Sequence, residues 1–424
     1  MVEKIIERLK TSGATGWKLE EKIVESKEFF FIKDRSDIGR SKKVKHFDIT
    51  VYKDFSEDGE SYRGSASVSL SPMMSEKEIK TSIDETVFAA GFVKNPWYPI
   101  AEGYTKTFKT EDRNLEELSS RAVKAIFDSN SVSNAWLNSV ELFISHIQFR
   151  ILNSNGLDVS FSKYKTYIET IVSASGKEEV ELYDQFQLDL PDGERIRTRL
   201  SGLLQMVSER ADAMATPSLK EIPVILTGEP TKEFMRYYLH QASAHLKYDK
   251  ISEAEPDGSI QGKETGDRIT LEIIPELEGS AFNAPVDDDG FILAPHKIIE
   301  NGILKNFWGD LRYAHYLGSK PTGSVQNFKV SGGSLSAEEM REKPYLEVTH
   351  FSSVDMDDTT GDFGGEIRLG WYFDGTSKRP VTGGSITGNL KDLISIGLSR
   401  DVQPEEDYFG PRSICVEGFR VSGE

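Results

Sequence analysis

The fold is decided by two long alternating stretches, VELFISHIQFRI at residues 140–151 and LDVSFSKYKTYIETIVSA at residues 157–174. Between them lies Asn153-Ser154-Asn155-Gly156, whose Asn-Gly pair favours the positive backbone angles of a tight turn. Apolar and β-branched side chains alternate with polar ones on both sides of this turn, as they do in strands. The region therefore predicts an antiparallel hairpin.

A second hairpin is predicted nearer the N-terminus. Residues 47–52 alternate, residues 62–70 alternate again, and Ser56-Glu57-Asp58-Gly59 supplies turn-forming residues between them. The helix predicted from residue 75 opens with Ser75-Glu76-Lys77-Glu78, which has the spacing of a capping box. Apolar residues at three- and four-residue steps predict helices at 2–11, 75–92, 114–128 and 193–214. This mixture predicts an α+β first half with antiparallel strands and amphipathic helices.

The second half of the chain is predicted to be mainly β. Its glycines crowd between strand-like runs, as expected of short strands joined by tight turns and bulges. One helix is predicted at residues 230–247, with short helical candidates at 336–342 and 389–398. A chain of 424 residues is longer than a typical domain with a single hydrophobic core. We therefore expect two domains, 1–218 and 219–424, with the boundary at Thr216-Pro217-Ser218.

Composition limits the classes of partner and compartment. The formal charge of −18 repels nucleic acid and anionic membranes, and the basic run at residues 40–46 is short enough to be a solvated strand. No apolar run is long enough to cross a bilayer, and MVEKIIERLKTSG lacks the apolar segment of a signal peptide. One cysteine, Cys415, excludes an internal disulfide and fits a reducing compartment. We therefore expect a cytoplasmic protein without direct nucleic-acid or membrane partners.

The hexapeptide His240-Gln241-Ala242-Ser243-Ala244-His245 resembles a zinc-peptidase signature with one change. In such enzymes a glutamate beside the first histidine takes a proton from the metal-bound water, and the amide of Gln241 cannot do so. On a regular helix His240 and His245 lie roughly 140° apart, so shared ligation requires the helix to bulge or to end between them. Spacing alone favours a hydrogen-bonded core histidine over a metal ligand.

Other suggestive motifs have simpler explanations. Asp362-Phe363-Gly364 lacks the companion motifs of a kinase, and residues 383–388 lack the lysine of a phosphate-binding loop. Residues 160–163 have the spacing of a serine acylase but no companion motif, and residues 287–290 fit an acidic turn rather than an EF-hand. Cys415 is interpreted as a small buried hydrophobe, able to bind metal only if its strand reaches the histidine helix.

Several segments together resemble the TldD/PmbA family, once called modulators of DNA gyrase and now regarded as metallopeptidases or their partner subunits. The strongest matches are Thr360-Gly361-Asp362-Phe363, RPVTGGSITGNL at residues 379–390 and VEGFRVSG at residues 416–423. Supporting matches lie at 289–291, 300–304 and 314–318 followed by 322–324. The resemblance implies an N-terminal α+β domain, a C-terminal β-rich domain and a dimer.

The resemblance also implies two kinds of subunit. The TldD kind carries His-Glu-x-x-x-His, with the same interval as His240 and His245, and a downstream cysteine that completes the zinc site. The PmbA kind, also called TldE, lacks the site and pairs with a TldD-type subunit. Here Gln241 replaces the glutamate, residues 397–401 offer no cysteine, and Cys415 comes too late in the chain. The resemblance therefore favours the PmbA/TldE kind, with no confident catalytic residue and no cofactor unless the site binds zinc.

Three functions remain open at the level of sequence. The favoured one is a weakly catalytic or non-catalytic subunit of a cytoplasmic metallopeptidase, which pairs with a TldD-type subunit and acts on unfolded peptide. The second is an active homodimeric zinc protease with His240 and His245 as ligands, in which Asp249 or Asp401 supplies the missing carboxylate. The third is a peptide-binding or assembly module without proteolysis, in which the histidines mark a degenerate zinc site.

Overall fold

A computed structural model describes residues 1–129 and 132–423 and has the predicted α+β fold. The helices of this part of the chain are α1 (Val2–Thr11), α2 (Glu76–Ala90), α3 (Leu115–Phe127), α4 (Gly193–Ala211), α5 (Glu229–Gln241), α6 (Ala244–Tyr248) and α7 (Leu311–Leu317). The capping box is confirmed, because the Ser75 hydroxyl accepts from the Glu78 main-chain N–H and the Glu78 carboxylate accepts from that of Ser75.

The first sheet is antiparallel apart from one short edge strand. Its strands are β1 (Gly16–Ile32), β2 (Arg35–Glu57), β3 (Glu60–Leu70), β4 (Thr105–Thr107), β5 (Ala135–Asn153), β6 (Asp158–Ser175) and β7 (Glu179–Leu188). The order is β3-β2-β1-β5-β6-β4, and β7 also pairs with β6. Both predicted hairpins are confirmed as β2–β3 and β5–β6, with Gly156 at φ 90° in the second turn. Strand β1 was not predicted, because the charged run from Glu20 to Lys22 interrupts its alternation.

Four helices cover one face of this sheet. Helices α1 and α2 pack near Leu19, whereas α3 and α4 pack near Phe31. These residues lie an even number of positions apart on β1, so their side chains point to the same face. On the opposite face Phe149 and Phe161 form a small core with Val286, which brings the C-terminal half against the sheet.

The C-terminal half contains two further sheets. Its strands are β8 (Met214–Ala215), β9 (Val224–Thr227), β10 (Thr265–Gly266), β11 (Leu271–Ile273), β12 (His296–Glu300), β13 (Ile303–Leu304), β14 (Phe328–Val330), β15 (Tyr345–Met356), β16 (Asp362–Phe373), β17 (Lys378–Thr382), β18 (Ser385–Asn389), β19 (Ser395–Leu398), β20 (Val402–Glu405), β21 (Tyr408–Pro411), β22 (Ser413–Glu417) and β23 (Arg420–Ser422). The larger sheet has the order β10-β19-β22-β9-β15-β16-β17-β8, and β18 links β16 to β23. The smaller has the order β13-β12-β11-β14-β21-β20. Because β8 pairs with β17, the larger sheet begins just before residues 216–218, and the domain boundary there stays a prediction.

Three predicted helices are wrong in extent or type. The predicted helix 230–247 is interrupted, because α5 ends at Gln241 and α6 begins at Ala244. The candidate at 389–398 is a single 3₁₀ turn, Leu390–Asp392, followed by β19, because pairing with β22 overrides local helical preference. At 336–342 only the 3₁₀ turn Glu339–Arg341 forms. None of the helices in the described residues combines the length and apolar content of a bilayer span.

Candidate functional site

A short backbone pairing ends helix α5 between the two histidines. The Ala244 N–H donates to the Trp308 carbonyl at 2.8 Å, and the Trp308 N–H donates to the Ala242 carbonyl at 3.0 Å. The Trp308 indole N–H also donates to the Leu239 carbonyl at 2.7 Å. Ser243 is therefore held in an extended conformation, with ψ 130°, and the helix stops. The helix therefore ends between the two histidines, which is one of the two geometries that shared ligation would require, and a distant loop imposes this end.

His240 lies in the last turn of α5 and pairs with a carboxylate that is remote in sequence. Its Nδ1 lies 2.9 Å from Oδ2 of Asp358, in the loop between β15 and β16. Both side chains are partly exposed, at 39% for His240 and 28% for Asp358. A carboxylate on one ring nitrogen fixes the ring orientation and leaves Nε2 as the nitrogen available for other chemistry.

Gln241 is buried and serves as a hydrogen-bond donor. Its side-chain Nε2 donates to the main-chain carbonyl of Asp358 at 2.5 Å. Its own main-chain carbonyl accepts from the Ser252 hydroxyl at 2.6 Å. A glutamate in this place would set an anionic carboxylate against a carbonyl oxygen, with no proton to share. The amide therefore suits its surroundings, and the loop that carries Asp358 is fastened to α5 through it.

His245 has different neighbours. Its Nε2 lies 3.0 Å from Oδ2 of Asp249, one turn further along the chain, and its ring stacks on Tyr313 with 4.4 Å between centroids. Tyr248 contacts the same tyrosine from the side, at 5.7 Å. The aromatic cluster and Asp249 thus hold the second histidine, whereas Asp358 holds the first.

Cys415 lies in β22 beside Ile225 of β9 and Gly397 of β19. Its strand does reach β9, which leads into α5. The Cys415 side chain nevertheless packs with Ile225 and Met340, whereas its neighbour Ile414 belongs to the core beneath α5. Successive side chains of a strand point to opposite faces, so the thiol faces away from the histidine helix. Cys415 is partly buried rather than fully buried as predicted, and this burial raises the pKa of its thiol to about 11.

A catalytic zinc centre needs three protein ligands around one ion. Across residues 1–129 and 132–423 there is no group of three or more His, Cys, Asp or Glu side chains placed to hold a metal. Of the alternative carboxylates, Asp249 pairs with His245 alone, and Asp401 is exposed in the turn after β19. Assignment of His240 and His245 as metal ligands therefore stays a prediction.

A groove of about 530 Å³ opens beside His240. One wall is the consecutive strand segment 349–356 of β15, and the other is the face of α5 with Glu233, Arg236, Tyr237 and His240. Strand β15 pairs with β16 from Tyr345 to Met356, with register shifts between Val348 and Ser353, but β9 pairs with it only at residues 346–348. In the described part of the chain, residues 349–356 have no strand neighbour on the groove side. The groove therefore offers an open strand edge beside a polar helix.

Charges of both signs line this groove. Arg236 donates to the Asp407 carboxylate at 3.1 Å and lies 3.4 Å from Glu233. Burial, and next the charge of Asp358, raises the pKa of Tyr237 to about 12, so its phenol stays protonated. Burial lowers the pKa of His350 on the strand wall. The groove can therefore donate and accept hydrogen bonds near neutral pH.

Sequence reasoning missed Asp358 and the open edge of β15. Asp358 is 118 residues from His240, and only the acidic run Asp355-Met356-Asp357-Asp358 marked its loop. The edge of β15 is open because β9 ends early. The local sequence pattern of β15 gives no information about where β9 ends. Fold and site together define an α+β protein with two histidines, His240 and His245, on either side of a helix break.

Comparison with known proteins identifies this class. The family model described as the PmbA/TldA metallopeptidase C-terminal domain matches residues 219–423. The Escherichia coli O157:H7 metalloprotease PmbA is 31% identical over 165 residues, which span 37% of this chain and 36% of that protein. A zinc metalloprotease TldD homolog of Saccharolobus solfataricus is 32% identical over 114 residues, 26% of this chain and 25% of the relative. The chain belongs to the TldD/PmbA family.

A longer match and two solved structures extend over more of the chain. An uncharacterized Methanocaldococcus jannaschii protein is 23% identical over 284 residues, 63% of this chain and 65% of its own length, so the curated relatives are matched only in part. TldE from Thermococcus kodakarensis has a TM-score of 0.78 at 17% identity, with all of both chains covered. A Thermotoga maritima protein named for a proposed role as modulator of a DNA gyrase has a TM-score of 0.76 at 18% identity, also with full coverage. These structures share the fold.

Proposed function

We propose that this chain is a subunit of a TldD/TldE-like metallopeptidase and lacks a complete zinc centre of its own. The observation that carries the proposal is the hydrogen bond from the Gln241 amide to the Asp358 carbonyl, because it occupies the general-base position with a donor. The separate carboxylate partners of His240 and His245 support the same conclusion. Its catalytic partner would be a cytoplasmic TldD-type subunit with His-Glu-x-x-x-His.

The groove beside His240 suits an extended, unfolded peptide. A peptide added to the open edge of residues 349–356 would form main-chain hydrogen bonds, which do not depend on side-chain identity. It would lie against α5 and pass His240 and Asp358 at one end of the groove. The proposed role is therefore to hold unfolded substrate for the partner's active site.

Metal content and cleavage test the missing centre. The purified chain, incubated with equimolar zinc and desalted, should retain well below one zinc per chain and should not cleave an unstructured peptide. Stoichiometric zinc and cleavage, both lost in His240→Ala and kept in the control His296→Ala, would identify an active homodimeric peptidase instead. Mixing with a His-Glu-x-x-x-His subunit should give a stable heterodimer by size exclusion and light scattering. Peptide binding without any such complex would favour the peptide-binding module.

Groove occupancy is tested with a fluorescent unstructured peptide. Ser353→Trp should fill the groove and weaken peptide binding at least tenfold, whereas Thr376→Trp, in the exposed β16–β17 turn, should not. Alternate main-chain nitrogens of the peptide can be methylated in two patterns, at odd or at even positions. The pattern that blocks the N–H groups facing β15 should also weaken binding, and the other pattern should not. Equal binding by both tryptophan variants would show that the peptide binds elsewhere.

A further inference from the structure

Strand β2 has an open edge far from the groove. It pairs with β1 from residue 35 onward, but β3 pairs with it only from Phe47 to Glu57. Within the described residues, segment 35–46 therefore has no strand on its second side, and nearly all of its side chains are exposed. An open strand presents unpaired N–H and C=O groups that can pair with another chain.

The opposite edge of the same sheet is covered. The Glu181 carbonyl of β7 accepts from Arg210 at 2.9 Å and from Arg368 at 3.4 Å. The main-chain N–H of Gln187, also in β7, donates to the Glu406 carboxylate at 3.1 Å. The two edges thus differ, because groups of the C-terminal half and of α4 occupy the β7 edge, whereas among residues 1–129 and 132–423 no such group covers segment 35–46 of β2.

The open segment is basic on a strongly acidic protein. It carries Arg35, Arg40, Lys42, Lys43 and Lys45, whereas the whole chain has a formal charge of −18. The Lys43 side chain is 70% exposed and the Arg40 side chain 59% exposed. Both side chains keep exposed surface beside the open edge, although each already pairs with a glutamate of β1.

The charges of β1, which pairs with the other side of segment 35–46, indicate which side chains an added strand should carry. Glu25 of β1 lies directly opposite Lys43, and its Oε2 lies 2.8 Å from the Lys43 Nζ. Glu28 lies directly opposite Arg40 and forms an ion pair with it. Opposite charges in cross-strand pairs stabilise a sheet, whereas like charges destabilise it. Antiparallel pairing with the same segment of a second copy, centred between Lys42 and Lys43, would set cation against cation. Self-pairing is therefore disfavoured, and carboxylates on the added strand are favoured.

We propose that residues 35–46 dock an extended acidic segment of a partner polypeptide by strand addition. The main-chain hydrogen bonds of β2 would hold the segment, and its Glu or Asp side chains would face Arg40, Lys42, Lys43 and Lys45. This site is separate from the groove at residues 349–356 and does not depend on the peptidase role.

Synthetic decapeptides that alternate threonine with glutamate or with lysine test the proposal. In fluorescence anisotropy at low salt, the glutamate peptide should bind at least tenfold more tightly than the lysine peptide. Methylation of alternate main-chain nitrogens in one of the two possible patterns should abolish binding. Lys42→Glu with Lys43→Glu should weaken binding at least tenfold, and the control Lys77→Glu with Lys80→Glu, on the exposed face of α2, should change it less than twofold.

Hydrogen exchange locates the bound peptide independently of any variant. Amides of residues 35–46 should exchange more slowly with the glutamate peptide present, while those of 349–356 stay unchanged. The proposal would be overturned if both methylated peptides bound equally well. It would also be overturned if an oligonucleotide of the same charge competed as well as the glutamate peptide, because binding would then be non-specific electrostatic attraction. Protection at 349–356 alone would place the peptide in the groove and overturn it as well.

Discussion

The side-chain amide of Gln241 donates a 2.5 Å hydrogen bond to the main-chain carbonyl of Asp358, while the neighbouring His240 pairs with the carboxylate of that same aspartate. One loop residue thus receives both side chains from the end of α5. The residue type at position 241 consequently affects the conformation of the loop between β15 and β16 as well as the acid–base chemistry of the site.

Gln241→Glu should destabilise the fold and should not by itself create a peptidase. The buried carboxylate loses the donor and faces a carbonyl oxygen, so we expect a loss of about 1–3 kcal/mol in the free energy of unfolding. Urea denaturation at pH 7.5 measures this loss. The control Gln148→Glu makes the same charge change at an exposed position and should cost less than about 0.5 kcal/mol. Zinc-dependent cleavage by Gln241→Glu alone would contradict the assignment.

The acidic turn before Gly290 should make stability depend on pH. Burial, and next the charge of Asp289, raises the pKa of Asp287 to about 7 from 3.8. Because the folded value is the higher one, the stabilisation is complete below about pH 4 and is lost as the pH rises through 7, by at most about 4 kcal/mol. Denaturation from pH 4 to 8 should show this decline in the wild type and a flatter profile in Asp287→Asn. The exposed control Asp288→Asn should keep the wild-type slope, and a slope unchanged in Asp287→Asn would reject the assignment.

Arg199 should contribute strongly to cohesion between the two halves of the chain. It lies 2.8 Å from the buried Asp184 of β7 and also pairs with Glu405 of β20. Arg199→Met leaves two largely buried carboxylates without their cation, and we expect a loss of about 3–5 kcal/mol in the free energy of unfolding. Adding Asp184→Asn should recover part of that loss. Arg195→Met, whose partner Glu278 is 95% exposed, should cost less than about 1 kcal/mol, and similar costs for both arginines would argue against the burial effect.

Cys415 should react slowly in the folded protein. Its pKa of about 11, raised by burial from 9.0, leaves about one-hundredth of the usual thiolate at neutral pH. Alkylation by iodoacetamide, followed by mass spectrometry at pH 7.5, should therefore be at least about 100-fold slower in buffer than in 8 M urea. Addition of zinc should not change the native rate, because the thiol faces away from the histidines. Native and denatured rates within a factor of three would contradict this placement.

Alternation and helical spacing in the sequence predicted the antiparallel hairpins, the capped helix at Ser75 and the β-rich second half. These features arise from local patterns and short-range hydrogen bonds, which the chain order itself contains. The three C-terminal motifs also carried the family resemblance without knowledge of contacts. Strand β1 was not predicted, because the charged run from Glu20 to Lys22 interrupts its alternation and its strand partners β2 and β5 are identified only in the assembled sheet.

The sequence by itself determined which donor groups are present. They are two histidines, an amide in place of a carboxylate, and one cysteine late in the chain. Only the tertiary structure decided their arrangement. Trp308 ends α5 between the histidines, Asp358 binds His240 and Gln241 from 118 and 117 residues away, and strand alternation turns Cys415 to the other face. The open edges of β2 and β15 have the same origin. Which backbone groups remain unpaired depends on where the neighbouring strands end, and that is a property of the assembled sheet.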